Sequence, residues 1–241
     1  MYLSEIYSER NHKMIKMYKV GGCVRDKLLG IPSKDIDYAV EAPSFLDMYE
    51  HIEKIGKIYL SSLEYYTIRA KVNSEDADFV LCRKEGPYSD GRHPDWVELG
   101  TLYDDLSRRD FTINAMAEDE NGNIIDPHWG QDDLKRRILR CVGNTKDRLN
   151  EDPLRLLRAL RFNITKGFRF HKDIWQAMSD QDIIWKLVET VSHERIREEM
   201  RKCFAHNTYH TLQMLNVYTE LQCALFRDNP IMWLEPTNKG R

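Results

Sequence analysis

The stretch GGCVRDKLLGIPSKDIDYAV, residues 21–40, decides the fold of this chain. It predicts a glycine turn, a short helix over Cys23–Leu29, a break at Ile31-Pro32-Ser33 and a strand over Asp35–Val40. A brief predicted strand, Tyr18–Val20, comes just before the turn. Strand, turn, helix and strand in such close succession indicate a mixed α/β domain in the N-terminal part of the chain.

Two carboxylates stand out within the second of these strands. Asp35 and Asp37 are two residues apart, so on a strand both side chains point to one face while Ile36 enters the core. Two acids this close repel each other and are tolerated best with a divalent cation between them. Asp78, on a later predicted strand (Ala77–Arg83), can supply a third carboxylate. An isolated Asp-x-Asp is more often a turn or a surface feature, and the strand prediction argues against the turn.

The glycine turn upstream has the composition of a phosphate-binding turn. Gly21 and Gly22 let a phosphate group approach the backbone, and the following helix begins with unpaired N–H donors. Arg25, in the first turn of that helix, has a guanidinium that can bind phosphate oxygens in a bidentate manner. A Gly-Gly pair alone is a common turn. Joined to the carboxylate pair, it predicts a site for a nucleoside triphosphate and its magnesium.

Arginine and acidic residues recur together in two later segments. RRDFTIN, residues 108–114, combines two arginines with an acid and an amide, although a helix start with a surface ion pair explains it equally well. EDPLRLLRALR, residues 151–161, begins a helix at Asp152-Pro153 and carries arginines at i, i+3 and i+6. The simpler interpretation of this second segment is an amphipathic helix with a basic solvent face.

Composition narrows the class of protein. The chain has 241 residues, of which 41% are hydrophobic and 31% charged, which suits one large domain or a domain with a helical extension and excludes collagen-like and disordered chains. No run of 18 apolar residues occurs, and residues 1–13 lack a secretory apolar block, so we expect neither a membrane span nor a signal peptide. Five cysteines without a CxxC pair predict reduced thiols and a cytoplasmic location.

Charge is unevenly distributed along the chain. The formal net charge is −3, yet residues 131–170 contain eleven basic and only five acidic residues. The remainder is therefore acidic. This division favours a cation-binding first part and a phosphate-binding middle part, although a solvated helix face would also account for it.

Four long blocks, in order along the chain, resemble a known family. They are GGCVRDKLLGIPSKDID (21–37), RRDFTINAMA (108–117), IIDPHWGQDDLKRRILR (124–140) and EDPLRLLRALRF (151–162), and VSHERIREEM (191–200) resembles a further helical motif. The family is the class II tRNA nucleotidyltransferases, or CCA-adding enzymes, with their bacterial poly(A) polymerase relatives, in the polymerase-β-like superfamily. The resemblance implies an α+β fold: a small mixed β-sheet head with flanking helices over residues 1–143, then an all-α neck and short body over residues 144–241.

The resemblance also implies an activity: template-independent addition of C and A to tRNA 3′ ends from CTP and ATP, with release of pyrophosphate. Asp35, Asp37 and Asp78 would be the catalytic carboxylates and would bind two Mg²⁺ ions. Ten residues would bind the nucleotide. Gly22 and Arg25 would hold the triphosphate, Arg109 and Asp110 would contact the ribose, and Asp152 and Arg155 would read the base, with Arg158 and Arg161 supporting base and phosphates. Gly21 and Asn114 complete the nucleotide-binding set.

The implied choice of base has a physical rationale. C and A both present an exocyclic amino donor beside a ring-nitrogen acceptor, and a carboxylate beside a guanidinium offers the complement. Asp152 and Arg155 would form that pair. G and U place a carbonyl opposite the carboxylate and would leave buried polar groups unpaired.

Two segments bear on which member of the family the chain resembles. Residues 83–98 resemble the flexible loop that CC-adding members lack, and residues 57–72 lack the arginine-rich signature of bacterial poly(A) polymerases. We therefore expect complete CCA addition, with CC-only, A-only or poly(A) addition as alternatives and a catalytically silent RNA-binding module as a further one. Family members usually continue well beyond this length, so we also expect the helical tRNA clamp to be absent or reduced.

Overall fold

The computed structural model describes residues 15–33, 35–86, 95–228 and 231–232. The strands are β1 Lys16–Val20, β2 Ile36–Glu41, β3 Gly56–Ser62, β4 Thr67–Val72, β5 Glu75–Leu81, β6 Arg83–Glu85, β7 Val97–Leu99, β8 Ala117–Glu118, β9 Ile124–Ile125, β10 Ile138–Leu139 and β11 Arg169–Phe170. The α-helices are α1 Gly22–Leu28, α2 Phe45–Ile55, α3 Leu102–Ser107, α4 Gly130–Arg136, α5 Thr145–Glu151, α6 Leu154–Lys166, α7 Lys172–Ala177, α8 Gln181–Thr190, α9 His193–Val217 and α10 Thr219–Cys223.

The chain divides into two compact units, each built from several segments. The first comprises Met1–Lys84, Val97–Arg108 and Met116–Pro127, and the second comprises Glu85–Trp96, Arg109–Ala115 and His128–Arg241. A single boundary between residues 143 and 144 remains a prediction about domains. By contacts, the segments around residues 109–115 and 128–143 belong with the C-terminal helices.

The first unit is built on a seven-stranded mixed sheet with the order β3-β4-β5-β2-β1-β8-β9. β2 and β5 are parallel, and the other neighbouring pairs are antiparallel. The predicted α+β class with a mixed-sheet head is therefore confirmed, and the later part of the chain is mainly helical as expected. The predicted strand over Asp35–Val40 begins one residue later, so Asp35 lies just before β2.

Alternation along the strands separates a core face from a polar face. Tyr38 on β2 lies opposite Phe79 on β5, and their rings stack with centroids 4.9 Å apart. Phe79 packs in one cluster with Met48 and Ile52 from α2. Because successive residues point to opposite faces, the neighbours Asp37 and Asp78 project from the other side of the sheet.

The turn between β1 and α1 requires glycine for a backbone reason. Gly21 has φ +75° and ψ −127°, a conformation that L side chains rarely adopt. Its carbonyl accepts from the N–H of Arg25 at 3.1 Å, which closes the first turn of α1. Gly30, with φ +71°, follows the end of α1 in the left-handed conformation that commonly ends a helix.

In the second unit, the predicted helix start at Asp152-Pro153 is observed. Pro153 has helical dihedral angles, and an Asp152 carboxylate oxygen accepts from the N–H of Leu154 at 3.1 Å. The core beneath α6 contains an aromatic chain in which Phe162 contacts Phe111 and Phe168 edge to face. These contacts join α6 to the segments on either side of it.

Candidate active-site residues

The three predicted carboxylates come from neighbouring positions in the first unit. Asp37 on β2 and Asp78 on β5 are direct partners across the parallel pair. Adjacent strands lie about 4.8 Å apart, so this register places the two side chains side by side on one face. Asp35 comes two residues before Asp37, at the edge of the same strand. The fold thus brings the predicted residues to one area of the sheet.

The Asp78 carboxylate has a protein partner on the strand at its other side. Arg69 on β4 lies directly opposite Asp78, and its Nε and Nη2 donate to Oδ1 and Oδ2 at 2.5 and 2.6 Å. Both carboxylate oxygens are therefore occupied by one guanidinium. The Arg69 side chain is 53% exposed and that of Asp78 27% exposed, so the pair lies at the solvent boundary.

The donor set at this face fits magnesium in kind. Mg²⁺ prefers carboxylate oxygens and commonly takes one or two of them together with substrate phosphates. In the described parts of the chain, however, no three His, Cys, Asp or Glu side chains converge tightly enough to hold an ion. The sheet register places carboxylates of this kind at adjacent positions, and the carboxylate of Asp78 is bound by Arg69.

The predicted triphosphate residues lie at the turn before α1. A side chain at position 22 would place its Cβ 3.5 Å from a guanidinium nitrogen of Arg25, so this guanidinium lies over the turn. Arg25 is buried and pairs with the carboxylate of its neighbour Asp26 through Nε and Nη2, each at 2.9 Å. Arg25 is therefore fixed beside the glycines rather than extended into solvent.

Asp110 is a buried acid of the second unit with several hydrogen-bond donors. It is 8% exposed, and it accepts from Arg158 through Nε at 2.9 Å and Nη2 at 2.6 Å. The amide of Asn114 and the backbone N–H of Phe111 donate to its other oxygen at 3.0 and 2.8 Å. Burial alone would raise the pKa of the Asp110 carboxyl, but the Arg158 charge and these hydrogen bonds together lower it to about 2. Arg109 donates to the carbonyl of Asn114 at 3.4 Å.

The four predicted base- and phosphate-binding residues of the second unit each have a counter-charge. Arg155 is only 8% exposed and donates to Glu151 at 2.9 Å, which corrects the interpretation of α6 as a helix with a wholly solvated basic face. The other pairs are Asp152 with Arg195 at 3.0 Å, Arg161 with Glu199 at 2.6 Å, and Arg158 with Asp110 as above. The backbone N–H of Arg155 donates to the carbonyl of Asp152 at 3.0 Å, while their side chains bind Glu151 and Arg195, respectively.

Three partners in this set were missed from the sequence. Glu151 is only four residues from Arg155 in the sequence, but it ends α5 while Arg155 lies in the first turn of α6, so the helical i, i+4 rule did not identify the pair. Arg195 and Glu199, both from α9, are far from their partners along the chain, and only the packing of α9 on α6 joins them. Arg69 was likewise missed, because cross-strand register cannot be derived from a single strand's pattern.

Two further expectations concern loops and membranes. Residues 87–94 of the predicted flexible loop lie outside the described residues, and the flanking strands β6 and β7 form a two-stranded sheet. Among the described helices, none combines the length and apolarity needed to cross a bilayer.

Curated relatives carry the name that the motifs suggested. The chain is 40% identical over 190 residues to the CCA-adding enzyme of Oceanobacillus iheyensis, a match that covers 78% of this chain and 45% of the relative. It is 41% identical over 186 residues to the CCA-adding enzyme of Streptococcus gordonii, with 77% and 45% covered. The chain thus spans about half the length of the curated relatives it matches.

Solved structures show the same fold. The Bacillus stearothermophilus CCA-adding enzyme in complex with CTP is 33% identical, with a TM-score of 0.71 over 88% of this chain and 50% of that one. The Thermotoga maritima CCA-adding enzyme complexed with tRNA is 27% identical, with a TM-score of 0.72 over 92% of this chain and 50% of that one. The model of the Poly A polymerase head domain matches residues 17–140. The chain therefore belongs to the Poly A polymerase head domain family.

Proposed function

We propose that this chain carries the nucleotidyl-transfer site of a CCA-adding enzyme and adds C and A from CTP and ATP to the 3′ end of tRNA. The observation that carries the proposal is the pairing of Asp37 with Asp78 on adjacent parallel strands of a family head domain, with Asp35 just before. In each step the primer 3′-hydroxyl attacks the α-phosphorus, one P–O bond forms, the α–β P–O bond breaks, and pyrophosphate leaves.

Asp35, Asp37 and Asp78 hold the two Mg²⁺ ions in this proposal. Bound there, Mg²⁺ supplies Lewis-acid stabilisation to the attacking and departing oxygens. Gly21 and Gly22 allow the triphosphate to approach the backbone, and Arg25, held over the turn by Asp26, offers a positioned positive charge. The hydroxyl proton leaves to solvent.

Base selection is assigned to Asp152 and Arg155, with Arg158 and Arg161 supporting them. Each Asp152 oxygen has two lone pairs, so the carboxylate can accept from the amino group of C or A while it remains bonded to Leu154 and Arg195. Arg155 is held rigidly by Glu151, and a rigid donor rejects a mispaired base more strongly. Arg109, Asp110 and Asn114 form the proposed ribose contact, organised by the buried Asp110–Arg158 pair.

The relatives solved with CTP and with tRNA are themselves CCA-adding enzymes, which favours a tRNA primer for this chain. We place the activity in the cytoplasm. All five cysteines are thiols rather than disulfides, as suits a reducing compartment.

The test is incorporation of labelled CTP and ATP into tRNA that lacks its 3′ end, in the presence of Mg²⁺. Replacing Asp37 by Asn removes a proposed ligand while keeping the side-chain shape, so incorporation should fall on the order of 100-fold or more. Glu53→Gln, an exposed change on α2, is the matched control and should retain wild-type rates.

Sequencing the product 3′ ends identifies the reaction. Ends in CCA support the proposal, whereas ends in CC, in a single A or in an A-tract assign the chain to the alternative transferases. If the wild-type chain binds tRNA but incorporates no nucleotide, the proposal is disproved and the chain is a catalytically silent RNA-binding module.

A further inference from the structure

The Arg69–Asp78 pair is built into the sheet. β4, β5 and β2 are successive strands, and Arg69, Asp78 and Asp37 occupy directly opposed positions across them. Their side chains therefore lie in a row on one face, with Asp78 between an arginine and an acid. Asp78 is therefore adjacent to both Arg69 and Asp37.

The guanidinium uses the whole of the Asp78 carboxylate. Its Nε and Nη2 each bind one oxygen, at 2.5 and 2.6 Å, in the fork-to-fork geometry that makes arginine–carboxylate pairs strong and directional. The guanidinium of Arg69 is therefore bonded directly to one of the three proposed metal ligands.

A bound Mg²⁺ ion and the Arg69 guanidinium would compete for the same two carboxylate oxygens of Asp78. Mg²⁺ requires short, well-aligned oxygen ligands in an octahedral shell, and a positive charge a few ångströms away opposes its entry. Without a cation, in contrast, Arg69 offsets the repulsion among neighbouring carboxylates. One side chain therefore has opposite effects on the cation-free and cation-bound states.

We propose that Arg69 is a positioning residue that competes with Mg²⁺ for Asp78, so that cation binding at the carboxylates requires Arg69 to release at least one Asp78 oxygen. This inference rests on the proposed function, because it takes Asp35, Asp37 and Asp78 as the cation ligands. It adds a residue outside the ligand set that sets how tightly a cation binds before nucleotide arrives.

The test measures Mn²⁺ binding to the full chain without nucleotide, by the loss of the free-ion electron paramagnetic resonance signal. Arg69→Gln frees the carboxylate and should tighten Mn²⁺ binding about three- to tenfold. Arg69→Lys keeps the charge but loses the fork, so its affinity should lie between the two. Lys71→Gln is the matched control: it lies on the same strand and face, opposite Asp76, and should change affinity by less than about twofold.

Thermal unfolding supplies a second readout. In EDTA, Arg69→Gln should unfold at a lower temperature than wild type, and saturating Mn²⁺ should raise its midpoint by more than it raises that of wild type. If Arg69→Gln binds Mn²⁺ no more tightly than wild type while Asp37→Asn weakens binding, the competition is disproved and the carboxylate site stands. If Asp37→Asn leaves Mn²⁺ binding unchanged, the carboxylate site of the proposed function is disproved, and the competition falls with it.

Discussion

Asp110 illustrates how a single buried acid organises a segment that sequence alone describes only as polar. Its carboxylate accepts hydrogen bonds from Arg158, Asn114 and the backbone N–H of Phe111. A buried carboxylate without such partners would be unstable, and Arg158 without Asp110 would be an uncompensated charge. The pair joins the 109–115 segment to α6 and fixes both.

We expect Asp110→Asn to lower the free energy of unfolding by about 3 kcal/mol, because the change leaves Arg158 without its counter-charge in a largely buried site. Urea denaturation measures this loss. Asp132→Asn is the matched control, since Asp132 is exposed and pairs only with Arg136 on the surface of α4, so its effect should stay within about 0.5 kcal/mol. Equal effects of the two substitutions would contradict the buried role of Asp110.

The loss of stability in Asp110→Asn should also depend on pH. Pairing with Arg158 holds the pKa of Asp110 at about 2 in the folded protein, below the ordinary value of 3.8. A carboxyl with a lowered folded pKa stabilises the protein above its unfolded pKa and loses that contribution as the pH falls toward the folded value. The difference in stability between wild type and Asp110→Asn should therefore be full above about pH 4 and shrink toward pH 2. A difference that is constant over this range would exclude the linkage.

At the level of elements, the turn between β1 and α1 depends on one backbone conformation. Gly21 connects the last residue of β1 to the first turn of α1, and its N–H donates to the carbonyl of Met116 beside β8. The turn is therefore held from both sides by the sheet. A residue that resists a positive φ would strain the whole connection.

We expect Gly21→Ala to destabilise the protein by about 1–3 kcal/mol, because Ala must adopt a backbone conformation that is nearly restricted to glycine. Gly30→Asn is the matched control: Gly30 also has a positive φ, but Asn tolerates the left-handed region after a helix and no atom crowds the position. The thermal unfolding midpoints of the two variants are compared. A lower midpoint for Gly21→Ala than for Gly30→Asn indicates backbone strain, because both variants lose a glycine. A Gly21→Ala protein as stable as Gly30→Asn would refute the strain argument.

At the scale of the whole molecule, the reactivity of the cysteines measures how well both units are packed, because each unit contains buried thiols. Cys23, Cys82, Cys141 and Cys203 are buried, and Cys223 is partly exposed. Burial raises the pKa of the Cys141 and Cys203 thiols to about 12, so neither forms a reactive thiolate in the folded protein.

Ellman's reagent should therefore titrate one thiol readily in the native protein and all five after unfolding in denaturant. The fast reaction belongs to Cys223, and Cys223→Ser should remove it without slowing the others. Two or more fast thiols in the native protein would show that a buried region opens easily.

Local patterns were enough to predict several elements and most candidate residues. The short helix after the glycine turn, the strand that follows it and the helix start at Asp152-Pro153 were predicted from local backbone chemistry, and all are observed within about one residue. The Asp35/Asp37 spacing predicts two carboxylates on one face of a strand; β2 begins at Ile36, just after Asp35, and the shared role of the two acids remains a prediction. Such features depend on neighbours a few residues apart, which the sequence displays directly.

The sequence by itself determined the family, the α+β class and the types of residue that the proposed chemistry needs. Only the tertiary structure decided which charges meet: Arg69 with Asp78, Arg195 with Asp152 and Glu199 with Arg161. These partners come from different strands or helices, and sheet register and helix packing bring them together. Long-range pairing is set by the burial of the core as a whole, which is why no local pattern could have revealed it.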